Sequence, residues 1–113
     1  MTKAIFKKQD GLYVNLEVKG HSGFASSGSD IVCAGISTAV IMSINLIDRI
    51  IPNSFEIIQD EAVGYICLKN ILYSKMDESI INNIQIIFDN LYETLLDIQA
   101  NYQNHLKVKI ENN

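Results

Sequence analysis

Residues 12–52 read LYVNLEVK, then GHSGFASSGSD, then IVCAGISTAVIMSINLIDRIIP, and the changes of pattern across them decide the fold. In the first block Leu12, Val14, Leu16 and Val18 alternate with Tyr13, Asn15, Glu17 and Lys19, the period of two that gives a strand one buried face and one wet one. The middle block holds Gly20, Gly23 and Gly28 within eleven residues. Glycine frees the backbone, so a mobile loop is expected. The third block carries no charge from Ile31 to Ile47, and Ser29 or Asp30 before it can accept hydrogen bonds from the unpaired N–H groups of a first helical turn. A helix from about Asp30 to Arg49 is expected, ended near Pro52, which restricts the residue before it. Its composition predicts burial nearly all round.

Upstream, residues 4–8 form a short strand and Asp10-Gly11 the hairpin turn that joins it to the alternating block, because glycine accepts the positive φ such turns need. Downstream, Phe55 to Gln59 and Tyr65 to Leu68 make a second hairpin across Asp60 to Gly64. Ser74 with Asp77 resembles a capping box, and Ile80, Ile84, Phe88, Leu91, Leu95, Ile98 and Tyr102 recur at three or four residues, the stripe of a long amphipathic helix. Alternation returns at Leu106, Val108 and Ile110, a possible closing strand. The order is ββαββα with a possible C-terminal β. This is an α+β, two-layer fold, with an antiparallel or mixed sheet from two hairpins and two helices packed on it.

The 113 residues suffice for one domain with one core, read as residues 1–113. With 48% apolar and 19% charged residues the chain resembles folded proteins rather than disordered ones. The net charge of −4 and the scattered Lys and Arg residues provide no basic stripe for a phosphate backbone, which argues against direct nucleic-acid binding. Two cysteines and no signal-peptide pattern fit a reducing cytoplasm. The uncharged segment Ile31 to Ile47 is interrupted by Gly35, Ser37, Thr38, Ser43 and Asn45, and falls short of the roughly 20 mainly apolar residues of a spanning helix. No membrane is expected as a partner.

The chemistry lies at the two ends of the glycine-rich loop. His21 opens it, and Cys33 stands twelve residues on, just inside the helix. A helix N-terminus favours thiolate over thiol, and a neighbouring imidazole can take the proton and later return it to a leaving amine. The N–H groups of the helix start, that of Cys33 among them, are the expected oxyanion donors. A lone His–Cys pair is structural more often than catalytic, but this placement favours catalysis. Asp30 could orient the base or cap the helix. Ser37, one turn after Cys33, could bond within the site or back to its own helix. Cys67, between Ile66 and Leu68 in a strand, is assigned to packing or to the opposite sheet face, and His105 to the end of the long helix. A zinc site from His21, Cys33, Cys67 and His105 lacks the close ligand pairs of structural zinc. No metal or organic cofactor is expected.

The run Gly20-His21-Ser22-Gly23-Phe24-Ala25, followed by Asp30-Ile31-Val32-Cys33-Ala34-Gly35-Ile36-Ser37, resembles the ribosomal-processing cysteine protease Prp family. Ser22 and Gly35 stand where alanine is more usual. The resemblance implies a Cys–His endopeptidase that removes the N-terminal extension of a large-subunit ribosomal protein precursor. It also implies a homodimer and a mobile loop over the site, with Cys33 as nucleophile, His21 as general base and acid, and Asp30 and Ser37 at motif positions. The competing readings are a noncatalytic adaptor that binds a nascent ribosomal protein and a redox-responsive thiol protein. The second has no cysteine near Cys33 in sequence to resolve a sulfenic acid.

Overall fold

The protein is described by a computed structural model covering residues 1–21, 23, 25, 26 and 30–113. Strands β1 (Thr2–Gln9) and β2 (Leu12–Lys19) form the first hairpin, and β3 (Glu56–Asp60) and β4 (Tyr65–Lys69) the second. Helix α1 (Ile31–Ile50) lies between the hairpins; α2 (Glu78–Asn101) and β5 (Leu106–Asn112) follow. The sheet order is β3-β4-β2-β1-β5, antiparallel except where β5 runs parallel to β1. The α+β, two-layer expectation holds, the mixed form of the sheet is the one adopted, and the closing strand is real.

One core joins the layers. Ala4 and Phe6 of β1, Leu16 and Val18 of β2 and Leu68 of β4 face Val32, Ile36, Val40, Ile44 and Ile47 of α1 and Ile84, Phe88, Leu91 and Leu95 of α2. Each such large side chain contributes on the order of 1.5–3 kcal/mol by leaving water.

Three expectations need correction. Lys7 pairs with Asn15 but Lys8 with Tyr13, so Val14 is an extra residue, a β-bulge. The bulge reverses the alternation, and Tyr13 turns inward in place of Leu12 and Val14. Its ring stacks on Phe88 at 4.9 Å and meets Phe6 edge-on at 5.9 Å. Second, α1 is not buried all round: its inward residues form one stripe, and Ile31, Ile41, Met42 and Leu46 stand exposed. The helix is long and apolar enough to cross a membrane by length and composition, yet five of its side chains belong to the core. Third, the Ser74–Asp77 capping box does not form. Residues Tyr73–Lys75 make a 3₁₀ turn, and α2 starts after Asp77, whose side chain makes no capping bond. Tyr73 fixes that turn, its hydroxyl donating to the Tyr13 carbonyl at 2.5 Å.

Candidate active site

Three segments meet where β2 ends. The Gly20 N–H donates to the Gly64 carbonyl at 2.9 Å, and the Gly20 carbonyl accepts from the hydroxyl of buried Thr2 at 3.2 Å. The Thr2 N–H in turn donates to the His105 carbonyl at 3.0 Å. Gly20 has φ +90°, and a Cβ there would lie 2.7 Å from the Met1 carbonyl oxygen, so only glycine fits. Gly20, expected in the mobile loop, is therefore an anchor, and His21 starts from a fixed point. Gly23 has φ +71° with open space around it; Gly28 and Ser29 lie outside the described residues.

Between β3 and β4 the Asp60 carboxylate accepts from the Ala62 N–H at 3.0 Å and starts the 3₁₀ turn Glu61–Val63. Gly64 closes that turn in the left-handed region at φ +63°. The exposed imidazole of His21 lies beside it: a Cβ on Gly64 would be 3.1 Å from Cε1 and 3.3 Å from Nδ1. The sequence marks Gly64 only as a turn residue, because nothing local joins it to His21, 43 positions earlier.

Asp30 is the N-cap of α1, and its Oδ1 accepts from the Cys33 N–H at 2.9 Å. The Ala34 N–H donates to the Asp30 carbonyl at 3.1 Å. Capping, one of the two roles expected of Asp30, is thus present in the structure. The Cys33 N–H, expected among the oxyanion donors, is bonded to this cap. The half-buried Cys33 thiol thus sits in the first helical turn, with exposed Ser37 one turn further on.

His21 and Cys33, from different elements, line the same cleft of about 360 Å³. Val18, Ile36, Val40 and Ile66 line its apolar part, and Gly64, Tyr65 and Thr2 lie towards the sheet end. A wider hollow of about 700 Å³ adjoins it, bordered by Asp30, Ala34 and Ala62; His21, Cys33, Ser37 and Glu61 line both. The Tyr65 hydroxyl donates to Glu17 at 2.9 Å, a bond that holds the phenol protonated well above its ordinary range. An imidazole and a thiol lining one partly apolar cleft can perform nucleophilic acyl transfer.

Cys67 lies apart from this site. It is buried on the sheet face opposite the helices, paired across the strands with Glu17 and Ile58, its sulfur 3.9 Å from Asn15 Oδ1. His105 follows the end of α2, where its backbone links Tyr102 to Thr2.

The sequence profile of the family described as cysteine protease Prp matches residues 1–107. The chain belongs to the Prp family. It is a cysteine protease, as that family is. The chain is 27% identical over 106 residues to the ribosomal processing cysteine protease Prp of Bacillus subtilis (strain 168), covering 92% of this chain and 91% of that one. The fold is that of Prp from S. aureus, solved in complex with a covalently linked product peptide. That structure superposes with a TM-score of 0.84 at 21% identity, over 98% of this chain and 100% of the other. A Streptococcus mutans protein superposes with a TM-score of 0.81 at 24% identity, over 100% of this chain and 96% of that one.

Proposed function

We propose that this Prp-family protease is a cytoplasmic endopeptidase that removes the N-terminal extension of a large-subunit ribosomal protein precursor, with Cys33 as nucleophile and His21 as general base and acid. The observation that carries the assignment is the shared cleft, lined by His21 and Cys33 from separate elements together with Val18, Ile36, Val40 and Ile66. The ribosomal substrate is supported by the relative from Bacillus subtilis, a ribosomal processing protease by name.

Cys33 passes its proton to the His21 imidazole, and its sulfur adds to the scissile carbonyl. The tetrahedral oxyanion is met by the N–H groups of Ile31 and Val32, which precede Cys33 in the first turn of α1. The imidazolium protonates the departing amine as the C–N bond breaks, leaving a thioester. Water, deprotonated by His21, then attacks the thioester, and the thiol leaves with that proton. An extended peptide with an apolar side chain beside the scissile bond suits the cleft lining of Val18, Ile36, Val40 and Ile66.

The enzyme acts as a homodimer in this proposal. The buried stripe of α2 belongs to the core, and among the exposed apolar side chains Ile41, Met42 and Leu46 lie together along α1, which makes that face the one offered here to a second copy.

Cleavage of a peptide spanning the precursor junction tests the assignment. Cys33→Ala and His21→Ala should each lower kcat by more than about a thousandfold with little change in Tm, whereas Cys67→Ala should keep most of the activity. Undiminished cleavage by either of the first two variants refutes the catalytic roles of Cys33 and His21.

A further inference from the structure

We propose that Gly64 is a positioning residue for the His21 imidazole, its missing side chain being the space in which the ring rests. The inference depends on His21 acting as the base. Two of the four described glycines at positive φ, both closing turns between strands, have opposite surroundings. Gly11, at φ +80°, has nothing within 4 Å of the place a Cβ would take. Gly64, at φ +63°, would put a Cβ 3.1 Å from His21 Cε1, 3.3 Å from Nδ1 and 3.1 Å from the Gly20 carbonyl oxygen. Separations of 3.1–3.3 Å are tighter than ordinary van der Waals contact, so the neighbours would have to give by a few tenths of an ångström. The chain requires a left-handed residue at both turns, but only at Gly64 does a side chain meet the base.

The two parts that would yield differ in freedom. The Gly20 carbonyl is held by Thr2, and the Gly20 N–H is bonded to Gly64 itself. The imidazole is exposed and can swing. An added methyl therefore moves the ring rather than the fold. Displacement of a catalytic group by about 1 Å can cost on the order of a hundredfold in rate, so a shift of a few tenths of an ångström should cost several-fold. Asparagine separates that effect from backbone strain, because it tolerates the left-handed region yet still carries a Cβ.

Gly64→Ala, Gly64→Asn, Gly11→Ala and His21→Ala are to be compared in a Cys67→Ala background, which leaves Cys33 as the single thiol. The measurements are Tm, kcat and KM on a junction peptide, and the rate of iodoacetamide alkylation at neutral pH. Both Gly64 variants should lose roughly 3- to 10-fold in kcat with KM within about twofold, and should alkylate more slowly. Gly64→Asn should melt close to the parent. Gly11→Ala should lower Tm as Gly64→Ala does while kcat and alkylation stay at the parent's values. Parental kcat in Gly64→Asn, or an equal loss of kcat in Gly11→Ala, would overturn the inference while inactive His21→Ala leaves the base assignment standing. Active His21→Ala would remove both.

Discussion

The two ends of β2 are closed by different means. At the Tyr13 end side chains close on one another: the Tyr13 hydroxyl donates to Asp89 at 2.6 Å and its N–H to Gln85 Oε1 at 2.9 Å. Gln85 Nε2 then donates to the Tyr73 oxygen at 2.9 Å, and the Tyr73 hydroxyl returns to the Tyr13 carbonyl. At the Gly20 end the backbone does the closing, through Gly64 and Thr2. Polar groups at the first end satisfy each other and are lost to ligands; at the second, an imidazole and a thiol line a cleft. Stability and chemistry are thereby parted along a single strand.

The largest test of this separation is Phe88→Ala, which removes a fully buried ring from the stack on Tyr13. A loss of about 3–5 kcal/mol in urea unfolding is expected, with kcat per folded molecule unchanged. A fall in kcat beyond the unfolded fraction would join the two ends again. Gly20→Ala should cost about 1–3 kcal/mol, because it sets a side chain at φ +90° against the Met1 carbonyl. Unlike Phe88→Ala it should also lower kcat at least about tenfold, since His21 moves with its anchor. Asp30→Ala should cost about 1 kcal/mol through loss of the α1 cap, with Asp30→Asn restoring most of it in the same melting experiment.

The smallest effect is nil at neutral pH and appears in alkali. Burial pushes the Tyr73 hydroxyl up to about 12, with the Gln85 hydrogen bond opposing it, and burial raises Tyr13 in the same direction. The unfolded phenols lose their protons near pH 10, before the folded ones, so their contribution is complete below that pH. It is lost as pH rises from about 10 to about 12. The urea midpoint should therefore drop over that range, and Tyr73→Phe should flatten the drop. A midpoint independent of pH in the parent would remove the titrating groups from the Tyr13 end.

Much of this was legible locally. The hairpin turns, the order of elements, the start of α1 and the placing of a histidine and a helix-start cysteine at the two ends of one loop follow from glycine, capping and periodicity within windows of a dozen residues. What escaped depends on partners distant in sequence. Val14 reads as a buried strand residue until the register against Lys7 and Lys8 makes it a bulge. The apolar residues of α1 name no face, because only the sheet and α2 decide that Val40 is covered and Met42 is not. Asp77 reads as part of a capping box until Tyr73 is tied to Tyr13. Gly64 signals a turn, and its closeness to His21 exists only once β4 lies beside β2.

The parallel pairing of β1 with β5, from Thr2 against Leu106 to Lys8 against Asn112, has a bearing on how the enzyme comes into being. It joins segments about a hundred residues apart in sequence, the kind of long-range closure that slows folding. While residues 105–112 are still inside the translating ribosome, β1 has a bare edge and the Thr2 N–H lacks its carbonyl at His105. The floor beneath Gly20 is thus completed only after release of that segment, and a half-made chain holds its histidine on unfinished ground.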